Sequence, residues 1–370
     1  MRVRLVSTEP RGGPTVGGAV DWQFAADIGG RLARPAPPAT DYTRNQAIDE
    51  LAAASTAAEP PVRDVTRLST DGPVPDARIV DRPEWIRAAT ESMRVMTGGS
   101  GDADSASGAK AGAGLKGFVT GRVTGAQTGA VLAFVSSGIL GQYDPFGVPG
   151  GVLLLVYPNV IAVERQLRVK PADFRLWVCL HEVTHRVQFT ANPWLADYMS
   201  GALGVLTREG EEDFAGAIGR LGTLVRDRRN GVDGPSSGPN SAGILGVMRA
   251  IQSEPQRKAL DQLLVLGTLL EGHADHVMDA VGPAVVPSVA TIRRRFEERR
   301  NRKQSPVQRV LRALLGIDAK MSQYTRGKAF VDQVVGRVGM DRFNAIWTSQ
   351  DTLPLPEEID DPQQWIDRVL

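Results

Sequence analysis

Apolar residues recur every three to four positions along most of the chain after Val20, which is the period of an amphipathic helix. The segments DWQFAADIGGRLAR and YTRNQAIDELAAAS show this pattern, and Pro60–Pro61 and Gly72–Pro73 interrupt it. In DRPEWIRAATESMRVM, Pro83 suits a first helical turn and Asp81 suits the capping position before it. We therefore predict a helix over each of these three segments.

A row of glycines at four-residue spacing marks the next apolar stretch, residues 117–140. The row consists of Gly117, Gly121, Gly125 and Gly129. Such spacing aligns the glycines along one side of a helix, where another backbone can approach closely. Because Arg122 and Gln127 interrupt the roughly 20 apolar residues that a membrane span needs, we predict a crossing of two helices within the protein rather than a membrane or oligomer contact.

Three later segments predict one strand and two helices. The continuous apolar run VLLLVYPNVIAV predicts a buried strand or hairpin arm, which either is covered or offers an open edge to an extended peptide. Pro171 suits the start, and Asn192–Pro193 the end, of a helix over PADFRLWVCLHEVTHRVQFT. The segment PQRKALDQLLVLGTLLEGHADHVMDAVG is apolar nearly all round through Leu270, which is typical of a helix buried on every side.

Charge and cysteine content narrow the functional classes. The 43 basic residues nearly cancel the 42 acidic ones, so no overall field attracts nucleic acid or acidic lipid. The arginines of TIRRRFEERRNRK alternate with glutamates, which is typical of a solvated helix face. The single cysteine, Cys179, rules out an internal disulfide and suits a reducing compartment. Since the N-terminus lacks the apolar core of a secretory signal, we expect a cytoplasmic protein.

All four histidines fall in two short clusters, and the first is HEVTH, a match to H-E-x-x-H. Positions i and i+4 share one helix face, so His181 and His185 can bind one metal ion. Glu182 can reach a water on that ion and accept its proton. This is the arrangement of zinc-dependent proteases, and chance explains it poorly in a chain with so little histidine.

The second cluster, LLEGHADHVMD, offers a third ligand, which a catalytic zinc site requires in addition to a water. Glu271 follows an apolar helix and is expected to begin in the interior, where a carboxylate must be paired or bound to metal. Asp275 lies one turn later on the same face and can accept a hydrogen bond from the far nitrogen of a ligating histidine.

The remaining histidines leave two arrangements open, because His273 and His276 point roughly 200° and 140° away from Glu271 around the helix. In one, Glu271 is the third ligand and a flanking histidine donates a hydrogen bond to the oxyanion of a tetrahedral intermediate. In the other, one of the two histidines binds the metal and Glu271 pairs with another group. We favour Glu271. Tyr143, Asp144 and Tyr324 are weaker candidates for polarising a carbonyl.

Six segments along the chain are similar to one known family. They are VDWQFAADIGGRLARP, DRPEWIRA, LGQYDPFG, LRVKPADFRLWVCLHE, HEVTHRVQF and LLEGHADHVMDAVGP. Together they resemble the zincin-like metallopeptidase family of actinobacteria, in its subgroup labelled coenzyme F-420 biosynthesis-associated. The resemblance implies a mostly helical zincin-like fold with an HExxH active-site helix, a metal held through His181 and His185, and Glu182 as the base. It implies no substrate.

The predicted fold is mainly α with a small β element. We expect a flexible N-terminal tail over residues 1–19 and a single zincin-like domain over residues 20–370. Within the domain we expect a helical part (20–140), a metal-binding part (141–290) and a helical C-terminal part (291–370).

The expected function is a zinc-dependent hydrolase, specifically a peptidase that acts on a peptide or protein and has no nucleic-acid or membrane partner. The alternative is a non-catalytic, metal-stabilised binding protein of the same fold, in which a fourth ligand such as His276 closes the site. A nucleic-acid-binding module that uses the arginine run is a weaker third interpretation.

Overall fold

A computed structural model of the chain describes residues 20–70, 74–96, 115–208, 254–300 and 317–370. Most of these residues are helical, and the strands form one three-stranded sheet, so the prediction of a mainly α fold with a small β element is confirmed. The predicted N-terminal tail lies outside the described residues.

The elements follow one another from the N-terminus as a long series of helices with three short strands. In chain order they are α1 (Trp22–Leu32), α2 (Asp41–Ala57), α3 (Glu59–Thr66), β1 (Arg78–Val80), α4 (Arg82–Met96), α5 (Leu115–Ser136), β2 (Gly141–Asp144), β3 (Val152–Val156), α6 (Tyr157–Leu167), α7 (Pro171–Ala191), α8 (Trp194–Arg208), α9 (Glu254–Val285), α10 (Val289–Arg300), α11 (Ile317–Val338), α12 (Met340–Phe343) and α13 (Pro362–Val369).

The predicted helix boundaries hold where capping residues or prolines mark them. The carboxylate of Asp81 accepts a hydrogen bond from the backbone of Glu84 at 2.8 Å, and the carboxylate of Glu84 accepts one from the backbone of Asp81 at 2.8 Å, which caps α4. Pro60 and Pro61, which were predicted to interrupt the helical pattern, lie in the first turn of a new helix, α3. α9 is interrupted at Gly282, whose φ of 65° few other residues adopt.

The sheet has the order β1-β3-β2, with β1 parallel and β2 antiparallel to the central strand. Leu153 and Leu155 of β3 point into the larger hydrophobic core. The alternate residues Val152, Leu154 and Val156 point into a second core formed with α4 and α5. Helices therefore cover both faces of β3, which explains why its sequence is apolar without alternation.

The predicted extent of β3 was wrong. The strand ends at Val156, and the apolar residues after it belong to α6, which has Pro158 in its first turn and buries Val160 and Ile161. Periodicity could not separate the two elements because both are buried. Of the two alternatives for this strand, the structure shows the covered one, because β3 is paired on both sides and has no open edge for a peptide.

The glycine row on α5 forms the predicted crossing within the protein. A Cβ atom on Gly129 would lie 2.4 Å from the carbonyl oxygen of Ala25, and one on Gly125 would lie 2.6 Å from that of Asp21. α1 and α5 therefore touch through their backbones. Among the described helices, none has the length and apolarity needed to cross a bilayer.

The larger core surrounds α7 and fixes α9 beside it. α9 also crosses α11 at a pair of glycines: a Cβ atom on Gly272 would lie 2.2 Å from the carbonyl carbon of Gly327. Cys179 lies in this core with no exposed surface, and burial raises the pKa of its thiol well above the usual range, so it serves as a small apolar residue.

Candidate metal centre

α7 places the two histidines of HEVTH one turn apart on one face. The helix has Pro171 in its first turn and runs to Ala191. The Nε2 atoms of His181 and His185 lie 3.3 Å apart, and the two rings meet edge to face with their centroids 4.8 Å apart. Both rings remain partly exposed, so solvent reaches the pair.

Glu271 reaches this pair from α9. Its Oε2 atom lies 3.5 Å from Nε2 of His181 and 3.9 Å from Nε2 of His185. Gly272, the residue after Glu271, contacts the backbone of Gly327 on α11. This close contact limits how α9 can rotate. The structure thus brings together the three residues that the sequence analysis favoured as metal ligands.

The three atoms form a triangle of a size that suits zinc. A point equidistant from all three lies about 2.1 Å from each, and zinc binds histidine nitrogen at about 2.0–2.1 Å and carboxylate oxygen at about 2.0–2.2 Å. Two imidazoles and one carboxylate are also the donor set of one class of catalytic zinc sites. Within the described ranges, no other group of three His, Cys, Asp or Glu side chains has ligand atoms this close together. The donor set and its spacing therefore fit a zinc ion.

The metal-free site favours a positive charge at His181. Burial acts to lower the pKa of this imidazole, but the hydrogen bond to Glu271 and the charges of Glu182 and Glu271 outweigh burial and raise the pKa to about 9. At neutral pH a proton on His181 therefore offsets the carboxylate charge. A metal ion must displace this proton to bind, and it would then supply the positive charge itself.

Glu182 lies beside His181 and is only 7% exposed. A Cβ atom on Gly141 would lie 2.6 Å from Cγ of Glu182, so the first residue of β2 packs directly against this side chain. Burial raises the pKa of the Glu182 carboxyl to about 7; the charge of His181 opposes this rise and that of Glu271 adds to it. A carboxyl that changes protonation near neutral pH is suited to accept and return a proton.

Asp275 lies one turn beyond Glu271 on α9, and its charge contributes to the raised pKa of His181. Burial raises the pKa of Asp275 itself, and the charges of His181 and Arg293 oppose this rise. The backbone carbonyl of Asp275 accepts a hydrogen bond from Arg293 at 3.3 Å. A hydrogen bond between the Asp275 carboxylate and a ligating histidine stays a prediction.

His273 lies outside the cluster of three, in the protein core. Its ring has no exposed surface and packs against the rings of Phe343 and Trp347, with both centroid distances at 5.4 Å. Its Nδ1 atom lies 3.0 Å from Nε2 of Gln188. Burial lowers its pKa to about 3, so the imidazole is neutral.

His276 also lies outside the cluster and faces α11. Its Nδ1 atom lies 2.7 Å from Oδ1 of Asp332. Asp332 also pairs with Lys328, and Lys328 lies 3.1 Å from Asp279 on α9, so these groups form a charged link between the two helices. A catalytic role for His273 or His276 stays a prediction.

Tyr143 and Asp144, the weaker candidates for polarising a carbonyl, form hydrogen bonds with the segment that connects β2 to β3. The hydroxyl of Tyr143 donates to the carbonyl of Gly150 at 3.2 Å. Asp144 accepts hydrogen bonds from the hydroxyl of Ser92 at 2.7 Å and from the backbone of Phe146 at 2.9 Å. The side chain of Tyr324 lies outside the described residues.

Gln188 belongs to the site although the sequence analysis did not single it out. It follows His185 by three positions on α7, and its Oε1 atom lies 2.9 Å from Nδ1 of that histidine. Its amide nitrogen donates to the carbonyl of Leu270 on α9 at 3.0 Å. The signal in the sequence was a polar amide three positions after a predicted ligand, which places it one turn along the same helix face.

A helical fold that brings two histidines of one helix to a glutamate of another defines the class of zincin-type metallohydrolases. The sequence profile of the zincin-like metallopeptidase family matches residues 20–366, and the chain belongs to this family.

A solved structure supports the same fold. The chain is similar to the crystal structure of a "putative hydrolase with a novel fold" from Chloroflexus aurantiacus, with 25% sequence identity and a TM-score of 0.62, over 94% of this chain and 98% of that chain. A comparison with curated proteins gave no match.

Proposed function

We propose that the protein is a zinc-dependent peptidase, in which His181, His185 and Glu271 hold Zn²⁺ and Glu182 is the general base. The observation on which this rests is the approach of three ligand atoms from two helices to within 3.3–3.9 Å of one another. Membership of the zincin-like metallopeptidase family supports it. When bound, zinc would acidify a water to a pKa of about 7 and polarise the carbonyl that is attacked.

Glu182 would move the proton in this reaction. Its position next to the first ligand lets it accept a proton from the attacking water, and its raised pKa lets it hold that proton near neutral pH. It would then donate the proton to the leaving amine. The partial exposure of His181 and Glu271 supports access of a substrate from solvent.

The substitution Glu182→Gln tests this proposal, because it removes the proton acceptor and keeps the size of the side chain. We expect hydrolysis to fall by about 100-fold to 10,000-fold while zinc remains bound. The measurements are metal content by elemental analysis and cleavage of a peptide library.

The matched control is Glu297→Gln, which makes the same change at an exposed position on α10 and is expected to act like wild type. Wild-type protein that binds no zinc, or a Glu182→Gln variant that is fully active, would contradict the proposal.

The alternative, a metal-stabilised binding protein, requires a fourth protein ligand that closes the site. The contact of His276 with Asp332 argues against this histidine in that role. In the described part of the chain, the cluster has three members and not four. Zinc that is bound without any cleavage, in a coordination sphere with no exchangeable water, would favour the alternative.

The proposal also includes a peptide or protein substrate, a cytoplasmic location and membership of the coenzyme-associated actinobacterial subgroup. The sequence and its family resemblance support these three assignments. The near-neutral charge of the chain supports the absence of a nucleic-acid partner.

A further inference from the structure

We infer that Gln188 is a positioning residue that fixes the tautomer of His185 for metal binding. The inference rests on the proposed metal centre. The side chain of Gln188 has no exposed surface. It joins α7 to α9 through contacts with His185, Leu270 and His273.

The backbone carbonyl of Leu270 determines which way the amide of Gln188 points. A carbonyl oxygen can only accept a hydrogen bond, so the Gln188 atom 3.0 Å away from it must be the amide nitrogen. The reverse orientation would place two oxygens at that distance in a fully buried position, which is unfavourable. The amide oxygen therefore faces Nδ1 of His185.

This orientation determines where the hydrogen lies on His185. The amide oxygen can only accept, so Nδ1 of His185 bears a hydrogen, and in the neutral imidazole Nε2 then presents its lone pair. Nε2 is the atom that faces the cluster, 3.3 Å from His181 and 3.9 Å from Glu271. Gln188 thus holds His185 in the form that a metal requires.

The same amide determines the tautomer of His273. One N–H of Gln188 donates to Leu270, and the other points to Nδ1 of His273 at 3.0 Å. Nδ1 of His273 must therefore accept, and its hydrogen lies on Nε2, a buried atom that has no hydrogen-bond partner among the residues that the structure describes. His273 thus acts on His185 through Gln188, as a second positioning residue.

The first test is the zinc affinity of Gln188→Leu, measured by competition with a chelator. This variant removes the acceptor for Nδ1 of His185, and loss of such a partner lowers metal affinity by about 10-fold to 100-fold. The matched control is Thr190→Val on the same helix, which removes a 2.7 Å hydrogen bond to the carbonyl of Arg186 and leaves the histidines untouched. We expect the control to bind zinc like wild type.

The second test reads the tautomers directly in the metal-free protein. Since the chain has four histidines, selective isotope labelling and two-bond nitrogen–proton correlation spectra over a pH series can resolve each ring. We expect the hydrogen on Nδ1 of His185 and on Nε2 of His273. In Gln188→Glu the oxygen that faces His185 still accepts, so His185 keeps its tautomer. The other carboxyl oxygen bears a proton that it donates to the carbonyl of Leu270, and toward His273 it can only accept, so the hydrogen of His273 moves to Nδ1.

The outcomes separate this inference from the proposed function. A neutral wild-type His185 with its hydrogen on Nε2 and none on Nδ1 overturns the inference, and so does a folded Gln188→Leu variant whose zinc affinity is within about twofold of wild type. Both results leave the metal centre in place. Wild-type protein that binds no zinc overturns the proposed function instead, and the metal-free spectra still decide the inference. If Gln188→Leu does not fold, the tautomers of wild type and of Gln188→Glu decide it.

Discussion

Glu182 differs from another buried carboxylate, Glu164, in what surrounds it. Glu164 forms an ion pair with the guanidinium of Arg175 at 2.9 Å. Glu182 instead lies between Gly141 and the candidate ligands, and its pKa is raised to about 7. The absence of a side chain at position 141 is therefore part of how the candidate base is placed.

The substitution Gly141→Ala is expected to lower activity without removing the metal. The new Cβ atom would lie 2.6 Å from Cγ and 2.9 Å from Cδ of Glu182, so the carboxyl group must move. A displacement of about 1 Å can cost about 100-fold in rate. Steady-state kinetics on a cleaved peptide, together with zinc content, would measure the effect.

The nearby substitution Gly138→Ala is the control. A Cβ atom there would meet its nearest neighbour, the carbonyl of Val135, at an ordinary 3.6 Å. We expect activity close to wild type. If both variants were equally active, the contact with Gly141 would have no part in placing Glu182.

Sequence spacing predicted some residues of the site and missed others for a physical reason. The pairing of His181 with His185 depends only on the helical repeat, so the pattern was sufficient. Glu271 was favoured because a carboxylate after an apolar helix needs a partner. Gln188 acts through the backbone carbonyl of Leu270, and no sequence pattern marks a distant backbone group.

At the scale of whole elements, the crossing of α9 and α11 determines how the second half of the site is presented. Gly272, where the two backbones touch, lies between Glu271 and His273. Any side chain there must push the helices apart and carry both neighbours with it. The crossing therefore couples helix packing to the position of a candidate ligand.

The pair Gly272→Ala and Gly267→Ala tests this coupling within one helix. At position 272 the new Cβ atom would lie 2.2 Å from the backbone of Gly327, so we expect a loss of about 1–3 kcal/mol in the free energy of unfolding and weaker zinc binding. At position 267 no atom lies within 4 Å, so we expect a gain of roughly 0.5–1 kcal/mol. Denaturant unfolding and chelator competition measure the two effects.

Equal stability of the two variants would show that α9 and α11 can separate at no cost. Gly336→Ala on α11, where no atom lies within 4 Å either, provides a second control on the partner helix.

The elements themselves were predictable where local signals and burial agree. Prolines, caps and helical periodicity correctly predicted α1, α2, α4, α7 and α9. The boundary between β3 and α6 was missed, because both elements are buried and neither shows a polar face. The pairing of β3 with β1 and β2 depends on contacts between distant segments, which no single segment reveals.

At the scale of the whole molecule, the site links stability to pH. In the folded, metal-free protein the pKa of Glu182 is raised from 4.5 to about 7 and that of His181 from 6.5 to about 9. The folded state therefore binds more protons than the unfolded chain over these ranges. This contribution to stability is complete at low pH and is lost as the pH rises through about 7 and then about 9.

We expect the free energy of unfolding of the metal-free protein to fall between neutral pH and pH 9, as measured by denaturant unfolding with a chelator present. Zinc should reverse the trend, because it displaces the proton on His181 and binds more tightly as the pH rises. At about 100 times its dissociation constant, it should add about 2.7 kcal/mol.

The double variant His181→Asn/Glu182→Gln is the control for this pH effect, since the fall between neutral pH and pH 9 should disappear when both groups are removed. A metal-free wild-type protein that becomes more stable over the same interval would contradict the assignment of the raised pKa.

The buried thiol of the protein's one cysteine can report how often the surrounding helices separate. Cys179 lies on α7 one turn ahead of Val183, sealed beneath α2 with its thiol toward the carbonyl of Leu51. An alkylating reagent can reach it only after these helices part. The rate of alkylation therefore measures how often α7, the helix that also bears His181 and His185, separates from its neighbours.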